Sequence, residues 1–139
     1  LKTMRLTTCP EGENLASGIR EQQRRLELAG ISAELHIDVD PSRLRTVQSG
    51  WLRIAREAVT NIIRHAQASR VRMTVADIDS GLVLTIADNG IGFDPAKADH
   101  EGFGLTGMCQ RAERMRATFS IRSESGNGTI VQVRQDGGV

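Results

Sequence analysis

EAVTNIIRHA, at residues 57–66, decides the fold, because it combines a helical apolar repeat with a row of polar residues. At about 100° per residue, its apolar residues belong to a stripe that covers roughly half of a helix predicted over residues 48–66. That stripe comprises Trp51, Ile54, Ala55, Ala58, Val59, Ile62, Ile63 and Ala66. Glu57, Asn61 and His65 follow one another at intervals of four along one edge of the stripe. The row is therefore expected to be partly desolvated and to point in one direction.

The polar row allows two interpretations. It is a solvated helix flank in the first, since Glu and Asn at this spacing are common on helices. In the second it is a site, because Mg²⁺ takes one or two protein oxygens beside water and phosphate, and the amide oxygen of Asn61 suits that role. Glu57 would then hold a coordinated water or accept a proton, and His65 would face a phosphate oxygen. The helix alone leaves both interpretations open.

The composition is that of a globular domain. The chain has 139 residues, 39% hydrophobic and 25% charged, and a formal net charge of +1. That charge gives no general field for nucleic acid, and no apolar run is long enough to span a bilayer. Cys9 and Cys109 form neither a metal-type spacing nor a disulfide framework, which favours a reducing cytoplasm. We expect a lead-in over 1–13 and one domain over 14–139, and the first residue, Leu1, suggests part of a longer protein.

Periodicity and turn residues predict three helices and five strands. Asn14 is the expected N-cap of the first helix, and Gly30 suits the position after its last turn. The predicted helices cover residues 14–30, 48–66 and 108–116. The predicted strands cover residues 31–39, 70–78, 82–87, 118–124 and 129–135. This order predicts an α+β fold, with one mixed, mostly antiparallel sheet and about three helices on a single face.

DNGIGF, from Asp88 to Phe93, follows the most apolar strand of the chain. Asn89-Gly90 by itself would be an ordinary hairpin turn. A carboxylate at Asp88, however, is costly at the end of such a strand unless a group donates to it. The exocyclic amine of a purine would be such a donor, and Gly90 and Gly92 would let a flat base approach the backbone. The segment therefore predicts a base-binding site.

GFGLTG, from Gly102 to Gly107, opens the third helix. Flexible glycines before a helix N-terminus expose N–H groups at the positive end of the dipole, where anions bind. The residues between Phe93 and Gly104 show no periodic apolar positions, so we expect a mobile lid there without buried residues to hold it. One pocket would then combine an acidic strand end, a helix-borne amide and a loop over phosphates.

The same segment also matches the G-x-G-x-x-G pattern of dinucleotide-binding domains, and Glu124 stands where such domains place an acidic residue. That fold requires an apolar strand running straight into the first glycine. The residues that precede the glycine are DPAKADHE, which cannot form a buried strand, and the strands after the helix form a hairpin. The pattern is therefore not interpreted as a dinucleotide site.

Three motifs in order resemble those of the GHKL superfamily of ATPases and kinases. EAVTNIIRHA resembles its N-box, DNGIGF its first glycine box and GFGLTGM its second. The runs LRIAREAVTN and GLTGMCQRAERM, with GNGT in the last hairpin, resemble the catalytic ATP-binding domain of bacterial sensor histidine kinases. The short lid resembles the subfamily that pairs with LuxR-type response regulators. The likeness covers about residues 14–135 and implies a Bergerat-type α/β sandwich.

The resemblance implies roles for individual residues. Asn61 would be the Mg²⁺ ligand, and Glu57 would lie near the water shell of the metal, as a base or as a water ligand. Arg64 and His65 would contact phosphate, and Asp88 would bind the adenine amine. The glycines of the two boxes would shape the base pocket, the lid hinge and the phosphate cradle. The other residues implied to contact ATP are Gly90, Gly92, Phe93, Gly102, Gly104, Leu105, Thr106 and Gly107.

The chain departs from the family pattern in three places. Arg116-Ala117 replaces a Gly pair after the third helix, and the last strand ends without the usual Pro. The phosphoacceptor is also missing, since His36, His65 and His100 do not lie in an acidic helical context. The resemblance therefore implies a monomeric domain that binds Mg-ATP and phosphorylates a histidine on a separate dimerisation and phosphotransfer domain, in the cytoplasm. A nucleotide-gated interaction module or an anti-sigma-type serine kinase of the same fold stays open.

Overall fold

The computed structural model describes residues 11–40, 50–98 and 102–136, and for residues 11–14 it describes the backbone alone. The elements are, in chain order, α1 (Glu11–Leu28), β1 (Ser32–Asp38), α2 (Gly50–Asn61), a π-helical turn (Ile62–Ala66), β2 (Arg70–Ile78), β3 (Gly81–Asp88), α3 (Leu105–Arg114), β4 (Thr118–Ser123) and β5 (Thr129–Asp136). The predicted strand bounds agree with these to within one residue at each end.

The strands form one sheet in the order β1-β2-β3-β5-β4. The β1–β2 pair is parallel, and the other three pairs are antiparallel. Buried Val71, Met73 and Val75 alternate along β2 with more exposed residues, so that one face of the strand enters the core. The helices contribute their apolar stripes to that same core, which includes Ile19 of α1 and Met108 of α3. The predicted α+β fold with a mixed, mostly antiparallel sheet is confirmed.

The first helix begins earlier than predicted. α1 starts at Glu11, so Asn14 lies inside the helix and is not its N-cap. Glutamates near a helix N-terminus are favoured by the macrodipole, which explains why the helix includes them. The C-terminal prediction is confirmed: Gly30 has a φ of +84°, and the Ile31 N–H donates to the Leu26 carbonyl at 2.9 Å. This hydrogen bond closes the helix in the Schellman arrangement.

The second helix ends in a π-helical turn. The apolar stripe of α2 is buried as predicted from Trp51 to Ile62, and the turn ends at Ala66. Ile63, assigned to the stripe, is 37% exposed, because the wider turn changes the angle between successive residues. Gln67 follows with a φ of +51°. The Ala66 carbonyl, left without a helical partner, accepts the Ile91 N–H at 2.8 Å.

The third helix covers Leu105–Arg114 instead of 108–116. Its first residues belong to the glycine segment, and Gly104, with a φ of +68°, stands at the N-cap. At the other end Arg116 adopts a φ of +59°, and the Ala117 N–H donates to the Ala112 carbonyl at 2.8 Å. Arg116 thus takes the left-handed conformation that a glycine adopts without strain.

Candidate functional site

A cavity lies between the end of the second helix and the sheet. It is closed on one side by α2 and the π-helical turn and on the other by β3, β4 and β5. Its lining residues are Ala58, Asn61, Ile62, His65, Ala66, Ile86, Asp88, Gly92, Phe93, Phe103, Ile121, Thr129 and Val131. Five residues predicted to contact a ligand are among them. These are Asn61, His65, Asp88, Gly92 and Phe93.

Asp88 stands at the end of β3, half-buried at the polar end of this apolar cavity. The Gly90 N–H donates to its Oδ1 at 2.8 Å, and the Thr129 N–H also donates to the carboxylate. Burial raises the pKa of Asp88, and the two backbone hydrogen bonds only partly oppose that shift. The Asp88 carboxylate is therefore a strong hydrogen-bond acceptor that a donor inside the cavity could reach.

The glycines of the first box allow close approach of backbone to backbone. A Cβ at Gly90 would lie 2.2 Å from the Ala66 carbonyl oxygen, so this glycine packs against the π-helical turn. Gly92 has a φ of +67°, and a Cβ there would lie 2.1 Å from the Glu124 carbonyl oxygen. Approach of a ligand was the predicted reason for both, but the nearest neighbour of each is a backbone carbonyl oxygen of the protein. The glycines hold Asp88 between the helix end and the last hairpin.

Asn61 reaches the cavity from the end of α2, across from Asp88. Its Nδ2 donates to the Phe103 carbonyl oxygen at 2.7 Å. Within the described residues its Oδ1 accepts no hydrogen bond. An amide oxygen is a ligand type that Mg²⁺ accepts, which is the role predicted for Asn61.

Three rings stand in a row at the cavity mouth. Phe93 stacks on Phe103 with centroids 4.3 Å apart and an angle of 28°, and Phe103 meets His65 at 4.3 Å and 32°. Phe103 is 5% exposed and Ala98 is fully buried, and the Phe103 N–H donates to the Ala98 carbonyl at 3.2 Å. The expectation of a lid without buried residues is wrong for the described part of the segment. An aromatic side chain can be buried in an apolar cavity even where the sequence has no apolar periodicity.

The remaining predicted residues lie outside the cavity. A Cβ at Gly104 would be 2.8 Å from Glu57 Oε1, so Glu57 lies beside the start of α3. Arg64 is exposed, which places its guanidinium in solvent near the helix end. The others follow the glycine segment into α3: Gly102 and Thr106 are exposed, Gly107 is half-buried, and Leu105 packs into the core.

Thr129 was missed as a site residue. It is 8% exposed, lines the cavity and pairs with Asp88 across β3 and β5. Ser123 Oγ lies 2.7 Å from Thr129 Oγ1 and accepts the Phe93 N–H at 2.9 Å, which joins the hairpin to the first glycine box. The signal in the sequence was GNGT, whose Thr is the first residue of a strand. The pairing of this Thr with Asp88 cannot be derived from spacing alone.

Among the described residues, no three His, Cys, Asp or Glu side chains cluster as a metal site, and Cys109 is a free, exposed thiol. Cys9 and His100 lie outside that part of the chain. No helix in the described ranges is both long and apolar enough to cross a membrane.

Comparison with known proteins identifies relatives of this chain. Residues 46–137 match the family model described as histidine kinase-, DNA gyrase B-, and HSP90-like ATPase. The nitrate/nitrite sensor protein NarQ of Escherichia coli is 36% identical over 96% of this chain and 24% of its own length. The signal transduction histidine-protein kinase/phosphatase UhpB of Salmonella typhimurium is 35% identical over 87% of this chain and 25% of its own length. The sensor protein VraS of Staphylococcus aureus is 30% identical over 88% of this chain and 35% of its own length.

Solved structures agree at the level of the fold. The Erythrobacter litoralis EL346 blue-light activated histidine kinase has a TM-score of 0.67, with 19% identity over 94% of this chain and 43% of that one. The catalytic domain of histidine kinase ThkA has a TM-score of 0.64, with 14% identity over 88% and 92%. The chain spans between a quarter and about a third of the length of the curated relatives. It belongs to the histidine kinase-, DNA gyrase B- and HSP90-like ATPase family.

Proposed function

We propose that this chain binds Mg-ATP in the cavity and donates the γ-phosphoryl group to a histidine on a separate dimerisation and phosphotransfer domain. The observation that carries the proposal is that Asp88 and Asn61 line the same cavity. Two polar groups of complementary chemistry thus converge on an otherwise apolar pocket, the arrangement typical of a small-ligand site.

Asp88 would select the base. Its carboxylate offers only acceptors, so it favours the exocyclic amine of adenine and opposes the carbonyl that guanine presents at the same position. The Gly90 and Thr129 N–H groups donate to the carboxylate and partly oppose the rise in its pKa that burial causes. Ile86, Ile121 and the other apolar lining residues would cover the faces of the base.

The donor set fits Mg²⁺, because this ion needs only one or two protein oxygens beside water and phosphate. Asn61 Oδ1 would hold it, and Glu57 would accept a hydrogen bond from a coordinated water. When bound, the ion would neutralise charge on the transferring phosphoryl group. The side chains Arg64 and His65 follow on the π-helical turn and would orient the phosphates, with the N–H groups that open α3.

The acceptor would belong to another domain. His36 is exposed on β1 with its Nε2 3.0 Å from Glu34, away from the cavity, and His65 lines the cavity itself. Neither stands where it could attack in line as part of a helix pair. We propose further that the full-length protein pairs with a LuxR-type response regulator, that this domain is monomeric alone, and that it works in the cytoplasm.

Calorimetry with Mg-ATP, Mg-GTP and NAD tests the proposal. We expect Mg-ATP to bind in the micromolar range, about −7 to −8 kcal/mol, and the other two ligands to bind far more weakly. Asp88→Asn should weaken Mg-ATP binding at least about tenfold, because a charge-assisted hydrogen bond is lost. Asp79→Asn, an exposed position at the opposite end of β3, is the matched control and should bind like the original chain. Equal binding by Asp88→Asn, or preference for NAD, would refute the proposal.

A further inference from the structure

A pair of hydroxyl groups lies where the last hairpin meets the cavity. Ser123 Oγ on β4 and Thr129 Oγ1 on β5 are 2.7 Å apart, the usual length of an O–H···O hydrogen bond. The two residues are direct partners in the β4–β5 pairing, so their side chains lie on the same face of the sheet. Thr129 lines the cavity, and Ser123 stands behind it, outside the lining. Ser123 can therefore affect a ligand through Thr129 and not by direct contact.

The direction of this hydrogen bond follows from the other two bonds of Ser123. A serine hydroxyl has one proton to donate and two lone pairs that accept. Ser123 donates its proton to the Gly128 carbonyl oxygen at 3.1 Å and accepts the Phe93 N–H at 2.9 Å. Its remaining lone pair can only accept, so the hydrogen bond at 2.7 Å is donated by the Thr129 hydroxyl. In this arrangement the proton and both lone pairs of Ser123 have partners.

The opposite direction is less favourable. If Ser123 donated to Thr129, the Gly128 carbonyl would lose this donor, and one lone pair of Ser123 would have no partner. Gly128 is buried, and the loss of a donor to a buried carbonyl costs free energy. The hairpin therefore directs the Thr129 hydroxyl proton toward Ser123.

Thr129 consequently keeps only lone pairs for any further partner. Its neighbour across the β3–β5 pairing is Asp88, whose carboxylate, when ionised, also only accepts. The Thr129 N–H donates to that carboxylate, so the two groups are adjacent. Two acceptors side by side suit the edge of a base that carries protons. The exocyclic amine of an aminopurine has protons to donate, whereas the carbonyl of an oxopurine has none.

We propose that Ser123 is a positioning residue for base selection. Because it receives the proton of Thr129, it makes the cavity favour aminopurine over oxopurine nucleotides. The proposal rests on the proposed function, since it takes an adenine nucleotide as the ligand of the cavity. Without Ser123, the Thr129 hydroxyl is able to turn its proton into the cavity, where the carbonyl of an oxopurine accepts it. Selection against oxopurines then depends on Asp88 alone.

Calorimetry with Mg-ADP and Mg-IDP tests the proposal, because adenine carries an exocyclic amine where hypoxanthine carries a carbonyl. The measured quantity is the ratio of the two affinities, which a general loss of stability would leave unchanged. Ser123→Ala should lower the preference for Mg-ADP about tenfold, the effect of about one hydrogen bond. Ser120→Ala changes an exposed serine on the same strand. This matched control should leave the ratio within about twofold.

A double-variant comparison shows whether Ser123 acts through Thr129. Thr129→Val removes the hydroxyl and replaces it with a methyl group. In the Thr129→Val background, Ser123→Ala should change the ratio by less than about twofold. An unchanged ratio in Ser123→Ala alone, or an equal fall in both backgrounds, would overturn the role of Ser123. If the original chain bound neither nucleotide, the proposed function itself would fail, and the inference with it.

Nuclear magnetic resonance on the unaltered chain gives a second test that needs no variant. In the complex with Mg-ADP, the Thr129 hydroxyl proton should lie close to Ser123 and show a cross peak to its β protons. A hydroxyl proton of Thr129 whose cross peaks lead to the base, and not to Ser123, would overturn the proposal.

Discussion

Replacing Gly90 by alanine tests the packing on which the cavity depends. A Cβ at this position would lie 2.2 Å from the Ala66 carbonyl oxygen and 2.8 Å from its carbonyl carbon. Both are backbone atoms of the π-helical turn and cannot rotate away, so the loop after β3 must separate from the turn by about 1 Å to reach ordinary contact.

The cost follows from what that separation breaks. The Ile91 N–H donates to the same Ala66 oxygen at 2.8 Å, and losing this bond costs about 1 kcal/mol. Overpacking of fixed groups adds about 1–3 kcal/mol. The free energy of unfolding should therefore fall by about 2–4 kcal/mol. Since Asp88 moves with the loop, Mg-ATP affinity should fall as well.

Urea unfolding measures the loss, with Gly30→Ala as the matched control. Gly30 has a φ of +84° with nothing within 4 Å of a Cβ, so its alanine variant suffers backbone strain alone, about 1 kcal/mol. At a slope of about 2 kcal/mol per molar urea, Gly90→Ala should lower the midpoint by about 1 M or more at unchanged slope. The reasoning is refuted if Gly90→Ala unfolds at the same midpoint as Gly30→Ala, or later.

Two further predictions concern pH and the third helix. Because burial raises the pKa of Asp88 above 3.8, its contribution to stability is present below that value and is lost as pH rises through the raised pKa. The pH dependence of Mg-ATP affinity has the opposite sign: the affinity falls as pH drops through the raised pKa. Both pH dependences should disappear in Asp88→Asn. If either one persists in that variant, it belongs to another titratable group. Arg116→Gly should raise the free energy of unfolding by about 1 kcal/mol, because Arg116 holds a φ of +59°. A lower midpoint in urea would show that the Arg116 side chain contributes more than its strain costs.

The sheet could be predicted because the alternation of apolar and polar residues along its strands follows the alternation of buried and exposed positions. The bounds of β2 agree with the prediction at both ends, since Val71, Met73 and Val75 alternate with exposed residues. Helix ends were less predictable: Leu105–Gly107 reads as loop from its glycines, yet it forms the first turn of α3. The π-helical turn has no separate signal, because its residues continue the apolar repeat of α2.

The two polar residues of the cavity, Asp88 and Asn61, could be predicted from the sequence, but the burial of Phe103 beside them could not. Asp88 is conspicuous as a carboxylate after an apolar strand, and Asn61 as part of a row, so each could be singled out from local pattern. Their approach to one cavity depends on the β3–β5 pairing and on the contact of Gly90 with Ala66, which are long-range. The burial of Phe103 also depends on tertiary packing, because an isolated aromatic residue among glycines has no period to predict its partner.

A crystal structure of the chain with Mg²⁺ and a non-hydrolysable ATP analogue tests the central claim most directly. The account predicts the adenine amine within hydrogen-bond distance of the Asp88 carboxylate and the metal on Asn61 Oδ1. A nucleotide bound elsewhere, or an adenine whose amine faces away from Asp88, would contradict it.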